Sequence, residues 1–358
     1  MTRVVVVGAG IAGLAAAWDL TQAGVDVTVL ESEPRPGGVI VTERRDGFVV
    51  EGGPDGFLAA EPEIPALAAV LGIAERIVAQ QVRGASRWTG KSFEALEEGR
   101  AAELLGIETR TADLAAGFRS FADGMEELVT SLAERLVGAQ RAAPLLQLSQ
   151  PVTRIGIAGA GWRVAVTGGS TLEPDALVLA LPAYAAGPWL KQIGVQGSDK
   201  LDEVFYAPST TVSLAYRADQ IGHALEGSGF VVGAQHAAPL RACTYASSKF
   251  PGRAPDGHVL LRAFLAPADG DAERIAHAEL ATILGIRGAP LWSRVFQWTR
   301  GLPRYPQEHA TRLATVRTGF ARLPPLAIAG AGYDGPGVSA CVRSGREAAR
   351  VVLGRLGG

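Results

Sequence analysis

The chain has 358 residues, of which 47% are hydrophobic and 20% are charged, and its formal net charge at pH 7 is −2. This composition is typical of a globular protein long enough for two domains, and it excludes a disordered or fibrous chain. The small net charge gives no electrostatic reason to expect nucleic acid as a partner.

The N-terminal segment has the pattern of a dinucleotide-binding βαβ unit. A β-branched run, Arg3–Val7, predicts a buried parallel strand, and the motif G-x-G-x-x-G follows at Gly8–Gly13. We expect a helix over 11–23 and a second strand over 25–30, which ends at the acidic residue Glu31. This order of strand, glycine turn, helix, strand and acid predicts a Rossmann-like fold that binds a dinucleotide.

Each residue of this motif has a physical task in dinucleotide binding. Gly8 permits a tight turn, Gly10 lets the backbone approach a pyrophosphate, and Gly13 allows helix and strand to pack closely. The helix N-terminus offers free N–H groups and the positive end of its dipole to the phosphates. Glu31 is expected to accept hydrogen bonds from the ribose hydroxyls, and its negative charge disfavours NADP.

The segment after Glu31 bears on the choice between FAD and NAD. It contains a glycine pair at Gly37–Gly38, a two-stranded excursion that starts at residue 39, and a second glycine pair at Gly52–Gly53. An NAD domain usually continues into another helix, whereas glycine loops let backbone lie against a large flat ligand. The pattern favours FAD, although these residues alone also fit plain hairpin turns.

The middle of the chain predicts a small antiparallel sheet beside the dinucleotide domain. Residues 151–155 and 162–166 form the predicted pair, and 175–180 is the predicted strand that returns to the main sheet. Val152, at the start of this pair, is either an adenine contact or an ordinary core residue, and the residues alone leave both interpretations open.

The C-terminal segment contains a second G-x-G-x-x-G match, Gly330–Gly335, between a predicted strand over 326–329 and a predicted helix over 339–353. The remaining residues leave no room for a second strand and acid, so this match is expected to complete a site built elsewhere. Backbone N–H groups near Gly337 and Val338 would stabilise negative charge on a reduced flavin. Both ends of the chain are thus predicted to hold one FAD.

The remaining residues exclude several other kinds of site. Cys243 and Cys341 lie far apart, which gives neither a disulfide framework nor a zinc site and favours a reducing, cytoplasmic location. The sequence contains no run of 18 apolar residues, so no membrane-spanning helix is predicted. The apolar stretch 183–189 fits core, a dimer face or a shallow membrane contact, so we expect membrane contact to be peripheral at most.

Several stretches, taken together and in order, resemble the oxygen-dependent protoporphyrinogen oxidases, a family within the FAD-dependent amine-oxidase superfamily. They cover nearly the whole chain: GF…EGGPDGFL at 47–58, FRSFADGM at 118–125, SSKFPGRAP and LLRAF within 247–264, W…LPRY…H at 298–309, and AGAGYDGPG…CVRSGREAA at 329–349. A long helical insertion of that family is missing between 88 and 118. The chain therefore resembles a short member that lacks the membrane-associated lobe.

The resemblance implies an activity in haem biosynthesis: protoporphyrinogen IX is oxidised to protoporphyrin IX with FAD as cofactor, O2 as acceptor and H2O2 as product. Coproporphyrinogen is an alternative substrate. Arg87 occupies the position of an arginine that pairs with a propionate, and Val231 and Phe264 occupy positions that sandwich a pyrrole ring. No side chain is expected to be catalytic, because the flavin N5 accepts the hydride.

Motif and resemblance together give the expected cofactor-binding residues. These are Gly8, Gly10, Ile11, Ala12, Gly13, Glu31, Ser32, Gly37, Gly38, Val39, Gly52, Gly53, Pro54, Asp55, Val152, Ala180, Trp298, Gly332, Tyr333, Gly337 and Val338.

The predicted fold class is α/β, with a Rossmann-like FAD-binding domain (1–82, 113–190 and 306–358) interleaved with a smaller α+β substrate-binding domain (83–112 and 191–305). Two other functions stay open. One is an amine-oxidase-like flavin oxidase with another substrate; an aromatic cage for an amine would need an aromatic pair, and the C-terminal segment offers only Tyr333. The other is a non-catalytic FAD-binding protein.

Overall fold

A five-stranded parallel sheet forms the centre of the computed structural model, which describes residues 2–97, 100–104, 114–138, 145–233, 239–266 and 270–357. Val4 and Val6 pack into the hydrophobic cluster on one face of this sheet, and Val5 and Val7 into the cluster on the other. A strand covered on both faces must be apolar at successive positions, which explains the β-branched run. The strands lie in the order Leu146–Gln147, Asp26–Leu30, Arg3–Val7, Ala176–Leu179 and Leu326–Ile328.

Helices cover one face of the main sheet, and a small antiparallel sheet covers the other with two further helices. This layering around a parallel sheet confirms the predicted Rossmann-like fold. The first face carries Ile11–Gln22, Glu63–Leu71, Glu126–Gly138 and Val338–Leu356. The second face carries the strands Val152–Ala158, Gly161–Val166 and Thr171–Leu172 and the helices Ala183–Gln192 and His309–Gly319.

The first and last helices of the chain are in backbone contact. A Cβ atom built on Gly345 would overlap the carbonyl oxygen of Ala12, so only glycine allows this approach. Ala348 and Ala349 are also buried on the same helix. The two ends of the chain therefore lie side by side, next to the glycine turn of the first motif.

Two short β structures follow the glycine turn. Thr42–Arg45 and Phe48–Glu51 pair as an antiparallel hairpin. The first strand of this excursion, predicted from residue 39, begins only at Thr42, because the Ile40 N–H donates to the Gly37 carbonyl and closes a turn. A second antiparallel sheet has the order Phe57–Leu58, Phe118–Phe121 and Ile77–Ala79.

A seven-stranded sheet forms the second part of the molecule, and all its strands fall within the predicted substrate-binding segments. Neighbouring strands are antiparallel except for one parallel pair, Gly229–Val232 with Ala85–Trp88. The order is Trp292–Arg304, Phe205–Arg217, His258–Leu265, Leu240–Tyr245, Gly229–Val232, Ala85–Trp88 and Phe93–Leu96.

The two faces of this sheet have different partners. One face packs against the helix Ala272–Leu284 through an apolar cluster that includes Val212, Leu261 and Leu280. The opposite face turns toward the first part of the molecule, where Arg294 forms an ion pair with Glu43 of the hairpin. This second face is the one that can form a site between the two sheets.

The division into two domains with the predicted boundaries stays a prediction, and the boundary between 112 and 113 lies outside the described residues.

The remaining helical elements are short. They are Ala74–Arg76, Arg100–Leu104, Ser198–Glu203, Ala218–Gln220, Ala246–Lys249 and Phe320–Arg322.

Candidate cofactor and substrate site

The first glycine motif forms a tight turn between strand and helix. Gly8 has φ +101°, and a side chain there would overlap the carbonyl oxygen of Ala180. A side chain on Gly13 would overlap the carbonyl of Gly8, whereas one on Gly10 would meet no atom within 4 Å. Gly8 and Gly13 are therefore fixed by packing, while Gly10 leaves an open surface at the N-terminus of the helix.

The N-terminus of this helix is free to accept an anion. Gly10 is the N-cap, and no side chain caps the helix that begins at Ile11 and continues through Ala12. The backbone N–H groups of the first turn have no intrahelical partner, and the helix dipole is positive at this end. Both features fit the pyrophosphate of a dinucleotide.

The carboxylate of Glu31 ties the end of the second strand to the glycine turn. Its Oε2 accepts a hydrogen bond from the Ala9 N–H (2.7 Å), and its Oε1 accepts from the Glu33 N–H (2.9 Å) and the Ser32 hydroxyl (3.2 Å). Glu31 is only 8% exposed. It holds the turn in shape in addition to any contact with ribose hydroxyls, which stays a prediction.

The glycine pair Gly37–Gly38 lies directly against the first motif. The Gly37 N–H donates to the Ala9 carbonyl (2.8 Å), and a Cβ atom on Gly38 would lie 3.6 Å from the Cα of Gly10. Arg35 donates to the carbonyl of Gly38 and so fixes the loop. Beyond it, Val39 is 44% exposed, an apolar side chain left open beside the glycines.

The glycine pair Gly52–Gly53 contacts the seven-stranded sheet. The indole Nε1 of Trp298 donates to the Gly52 carbonyl (2.8 Å), and a Cβ atom on Gly52 would lie 2.5 Å from the ring of Phe296. A side chain on Gly53 would overlap the carbonyl of Val39. The loop Gly52–Asp55 is therefore packed between the Gly37–Gly38 loop and the face of the seven-stranded sheet.

Val152 and Ala180 both lie at the edge of this region. The Ala180 N–H donates to the Val7 carbonyl, which places Ala180 beside Gly8. Val152 follows a segment whose Gln150 N–H donates to the Glu31 carbonyl, so Val152 is near the strand end that carries Glu31. Its side chain packs partly into the core, and both of its interpretations stay open.

The C-terminal glycine segment is held from outside by side chains. The Ser344 hydroxyl donates to Asp334 (2.6 Å) and accepts from the Gly330 N–H (3.0 Å). Arg317 donates to both carboxylate oxygens of Asp334. These contacts fix the turn that begins at Gly330 and leads to the last helix.

The same segment leaves backbone, not side chains, available to a ligand. Gly337 is the N-cap of the helix that begins at Val338; no side chain caps it, and a Cβ atom on Gly337 would meet nothing within 4 Å. Tyr333, in contrast, is 3% exposed, and its hydroxyl donates to the Leu181 carbonyl. The ring of Tyr333 is therefore part of the core and does not provide half of an aromatic amine cage.

Gly332 is fixed by its neighbours as well. A Cβ atom on Gly332 would overlap the hydroxyl of Tyr206, which accepts the Ala183 N–H. Tyr305 donates to the Ala331 carbonyl (2.5 Å) and stacks on His309, whose Nε2 bonds to the Tyr333 carbonyl (3.0 Å). Burial raises the pKa of the Tyr206 hydroxyl to about 12, so it stays a neutral hydrogen-bonding group.

The predicted substrate residues share one face of the seven-stranded sheet. Register partners on adjacent strands point to the same face. Arg87 pairs with Val231, Val231 with Ala242, and Ala242 with Phe264. The complete row across seven strands is Glu94, Arg87, Val231, Ala242, Phe264, Thr211 and Phe296.

This row runs from a charged end to the glycine loops. Arg87 lies at the outer end, where its guanidinium forms an ion pair with Glu94 and its side chain is 38% exposed. Phe296 lies at the other end, against Gly52. Adjacent strands are about 4.8 Å apart, so Arg87 is about 14 Å from Phe264 and about 24 Å from Phe296.

The three predicted substrate residues are not equally accessible. Phe264 and Arg87 are partly exposed, whereas Val231 is 3% exposed. The short helix Arg100–Leu104 contacts the strands that carry Arg87 and Val231. Phe264 and Arg87 can therefore be reached by a ligand in this conformation, whereas Val231 is already covered. All three roles stay predictions.

A group of charged side chains lies at the loop Gly52–Asp55, and of its members only Asp55 was predicted from the sequence to belong to the site. We call it the inner charged cluster; its members are Glu51, Asp55, Lys249, Arg253 and Arg262. The available signal was the presence of charges in apolar surroundings, such as Arg262 within the strand stretch LLRAFL. Phe296 was missed because its contact with Gly52 depends on pairing between distant strands.

The residues brought together fit a flavin dinucleotide. Open glycine surfaces, two uncapped helix N-termini and the carboxylate of Glu31 match the flat ring, phosphates and sugar of FAD. Within the described ranges, no group of three or more potential metal ligands is found. In the same ranges, every helix is too short or too polar to cross a bilayer.

Comparison with known proteins identifies the family of the chain. The family model described as flavin containing amine oxidoreductase matches residues 11–104 and 81–353. The coproporphyrinogen III oxidase of Bacillus subtilis is 23% identical, with 97% of each chain aligned, and that of Propionibacterium freudenreichii is 27% identical, with 98% of this chain and 90% of the relative aligned. The protoporphyrinogen oxidase of Bos taurus is 28% identical over 66% of this chain and 51% of its own.

These relatives contain stretches that the chain lacks. The alignment with the Bacillus subtilis protein runs over 461 positions, although this chain has 358 residues. The length difference agrees with the prediction of a shorter member of the family.

Solved structures show the same fold. A structure from Exiguobacterium sp. 255-15, provisionally described as a protoporphyrinogen oxidase, superposes with a TM-score of 0.83 at 22% identity and covers 100% of this chain and 99% of its own. Cyclohexylamine oxidase from Brevibacterium oxydans superposes with a TM-score of 0.77 at 14% identity and covers 100% of both chains. At these identities the likeness concerns the fold alone.

Proposed function

Because the chain belongs to the flavin-containing amine oxidoreductases, we propose that it is an FAD-dependent oxidase that converts a porphyrinogen to the porphyrin with O2 as acceptor. The names of the aligned relatives support this substrate class, since they are coproporphyrinogen III oxidases and a protoporphyrinogen oxidase. Protoporphyrinogen IX and coproporphyrinogen III are the two substrates to compare.

In this proposal the two ends of the chain hold one FAD. The turn at Gly10 and the helix that begins at Ile11 bind the pyrophosphate, and Glu31 lies at the ribose. The loops Gly37–Gly38 and Gly52–Gly53 and the N-terminus at Gly337 lie along the ring system. Bound FAD supplies the redox chemistry, because it accepts electron pairs that amino-acid side chains cannot store.

The observation that carries the substrate proposal is the row from Arg87 to Phe296. It joins a guanidinium, an aromatic ring and the cofactor loops on a single sheet face. The guanidinium of Arg87 suits a carboxylate, and the ring of Phe264 suits the face of a pyrrole. A flat tetrapyrrole with carboxylate side chains would meet this row at Arg87 and Phe264, which are partly exposed.

Protein side chains in this proposal bind and orient rather than exchange protons. The row contains a single carboxylate, Glu94, and it is held by Arg87. For each hydride that would leave a bridging carbon, the compensating proton can leave from a pyrrole N–H, directly or after tautomerisation, so the reaction needs no general base from the chain. At the inner end of the row, Phe296 and Trp298 contact the Gly52 loop.

The test is an O2-dependent assay with the purified, FAD-loaded protein. Coproporphyrinogen III and protoporphyrinogen IX are supplied separately, and porphyrin fluorescence is followed with and without bound FAD. We expect FAD-dependent growth of fluorescence with at least one of them. Oxidation of amines but not porphyrinogens would show a different oxidase, and a flavin inert to both would show a non-catalytic FAD-binding protein.

A further inference from the structure

The inner charged cluster lies between the loop Gly52–Asp55 and the seven-stranded sheet. Lys249 forms an ion pair with Asp55 (2.8 Å) and lies over the rings of Phe118 and Phe250, with 11% of its side chain exposed. Asp55 and Glu51 flank the glycine pair of the loop. The two acidic residues of the cluster therefore belong to, or directly precede, the loop that is proposed to bind the flavin.

Arg253 is the second cation of the cluster, and it is 2% exposed. Its guanidinium donates to the carbonyls of Phe121 and Ala122 and to the hydroxyl of Ser120, and it is 3.6 Å from Glu51. Glu51 accepts from the Met125 N–H and from Thr42. A further carboxylate whose charge acts on Arg253, that of Asp123, is exposed and forms an ion pair with Arg76.

Arg262 is the third cation. Within the described residues it forms no ion pair, and the two carboxylates whose charge acts on it, Asp55 and Glu51, are already paired with Lys249 and Arg253. Arg262 is 7% exposed; its guanidinium donates to the hydroxyl of Thr211 (3.5 Å), and within the described residues its Nε has no hydrogen-bond partner. Its guanidinium lies over the ring of Phe264, 5.1 Å from the centroid. Arg262 therefore lies between the substrate row and the cofactor loop.

The cluster contains three cations and two carboxylates, so it has an excess of positive charge. Burial raises the pKa of Glu51, which makes the excess larger, not smaller, when Glu51 is protonated. A buried cation without a negative partner destabilises a fold. An excess of buried positive charge therefore points to a negative group that binds nearby. In a poorly polarisable interior its field acts over several ångströms.

We propose that Arg262, together with Lys249 and Arg253, stabilises the negative charge that a flavin held by the Gly52–Asp55 loop gains on reduction, and so raises its reduction potential. The inference rests on the proposed placement of FAD. In this proposal Arg262 acts on the flavin through its charge. The helix N-terminus at Gly337 stabilises the same negative charge.

Two substitutions with opposite charge effects test this proposal on the holoenzyme without porphyrinogen. Arg262→Met removes a positive charge at similar size, and Asp55→Asn removes a negative charge. Sulfite is the probe, because it donates its electron pair to the oxidised flavin and leaves the ring negatively charged. The two-electron reduction potential is measured in parallel against a reference dye.

We expect Arg262→Met to weaken sulfite binding about tenfold, which corresponds to a potential about 30 mV lower. Asp55→Asn is expected to strengthen sulfite binding by a similar factor. Arg163→Met is the control, because Arg163 pairs with Glu173 on the exposed small sheet and should change neither quantity.

The sign of the shifts separates a charge effect from a structural one. If both variants weaken sulfite binding, or neither changes it, the proposal is wrong. If Arg262→Met does not retain flavin, the reduction potential is measured on the two other variants. The proposal then requires the wild-type potential in Arg262→Lys and a higher potential in Asp55→Asn. A wild-type protein that takes up no FAD would instead contradict the proposed function, so the two failures are distinguishable.

Discussion

The indole Nε1 of Trp298, on an edge strand of the seven-stranded sheet, donates a 2.8 Å hydrogen bond to the carbonyl oxygen of Gly52 in the cofactor loop. The two residues are far apart in sequence and belong to the two predicted domains. This bond, with the ring of Phe296 against Gly52, makes the shape of the cofactor loop depend on the substrate sheet.

Trp298→Phe should weaken FAD binding. The substitution removes the donor to Gly52 but keeps an aromatic ring, and such a hydrogen bond contributes about 1 kcal/mol, or about fivefold in affinity. Titration of the apoprotein with FAD, followed by flavin fluorescence, measures the effect. Trp292→Phe is the matched control, since the buried Nε1 of Trp292 has no partner in the described residues; an equal loss there would contradict the role of the Trp298 bond.

Gly345→Ala should destabilise the protein and impair FAD binding. The new methyl group would overlap the backbone of Ala12, and the helix that starts the cofactor turn would have to move. We expect a loss of about 2 to 3 kcal/mol in the free energy of unfolding, measured with denaturant.

Gly354→Ala in the same helix supplies the comparison. No atom lies within 4 Å of a Cβ at this position, so the helix should gain about 0.5 to 1 kcal/mol from the alanine. Two alanine variants of one helix that change stability in the same direction would show that the contact with Ala12 does not matter.

Arg87→Met should lower kcat/KM for a porphyrinogen by about 10- to 100-fold, because a charged hydrogen bond to a substrate carboxylate is lost. FAD binding should not change, since Arg87 lies about 24 Å from Phe296 and the cofactor loop. Steady-state assays with both porphyrinogens and an FAD titration measure the two effects.

Glu94→Gln tests the same site with the opposite sign. Glu94 competes with a substrate carboxylate for Arg87, so its neutralisation should lower KM. A higher KM in this variant would indicate that Glu94 positions Arg87 and does not compete for it.

The ion pair of Asp55 and Lys249 should make stability sensitive to acid. Burial opposes ionisation of Asp55, but Lys249 and Arg262 outweigh it and hold the pKa of this carboxyl below its ordinary value of 3.8. A lowered folded-state pKa contributes stability above 3.8, and this contribution disappears as the pH falls through the folded-state pKa. Asp55→Asn should therefore lower the free energy of unfolding by about 1 to 3 kcal/mol near neutrality. The loss should become progressively smaller below pH 3.8.

Glu51 provides the opposite dependence. Its pKa is raised above 4.5, chiefly by burial, so its contribution is present below 4.5 and is lost as the pH rises through the folded-state pKa. The free energy of unfolding of Glu51→Gln, relative to that of the wild type, should thus increase as the pH rises. Denaturant unfolding of the three proteins across this range measures both slopes, and parallel curves would show that neither carboxyl is perturbed.

The sequence alone determined the local elements of the cofactor half. The run Arg3–Val7, the three glycines after it and Glu31 predict strand, turn, helix and strand, because each signal lies within a few residues of the element it specifies. The same holds for the strand and helix around Gly330–Gly337. These predictions required only periodicity, glycine conformations and helix ends.

Only the tertiary structure decided what these elements face. The row from Arg87 to Phe296 depends on the register of seven strands, and no local pattern encodes which residues become neighbours across strands. The ring of Tyr333 is buried in the core, Glu31 accepts a hydrogen bond from the Ala9 N–H, and Arg262 is buried without an ion pair in the described part of the chain. Each outcome depends on packing between segments far apart in the chain, and such contacts form only when the whole fold closes.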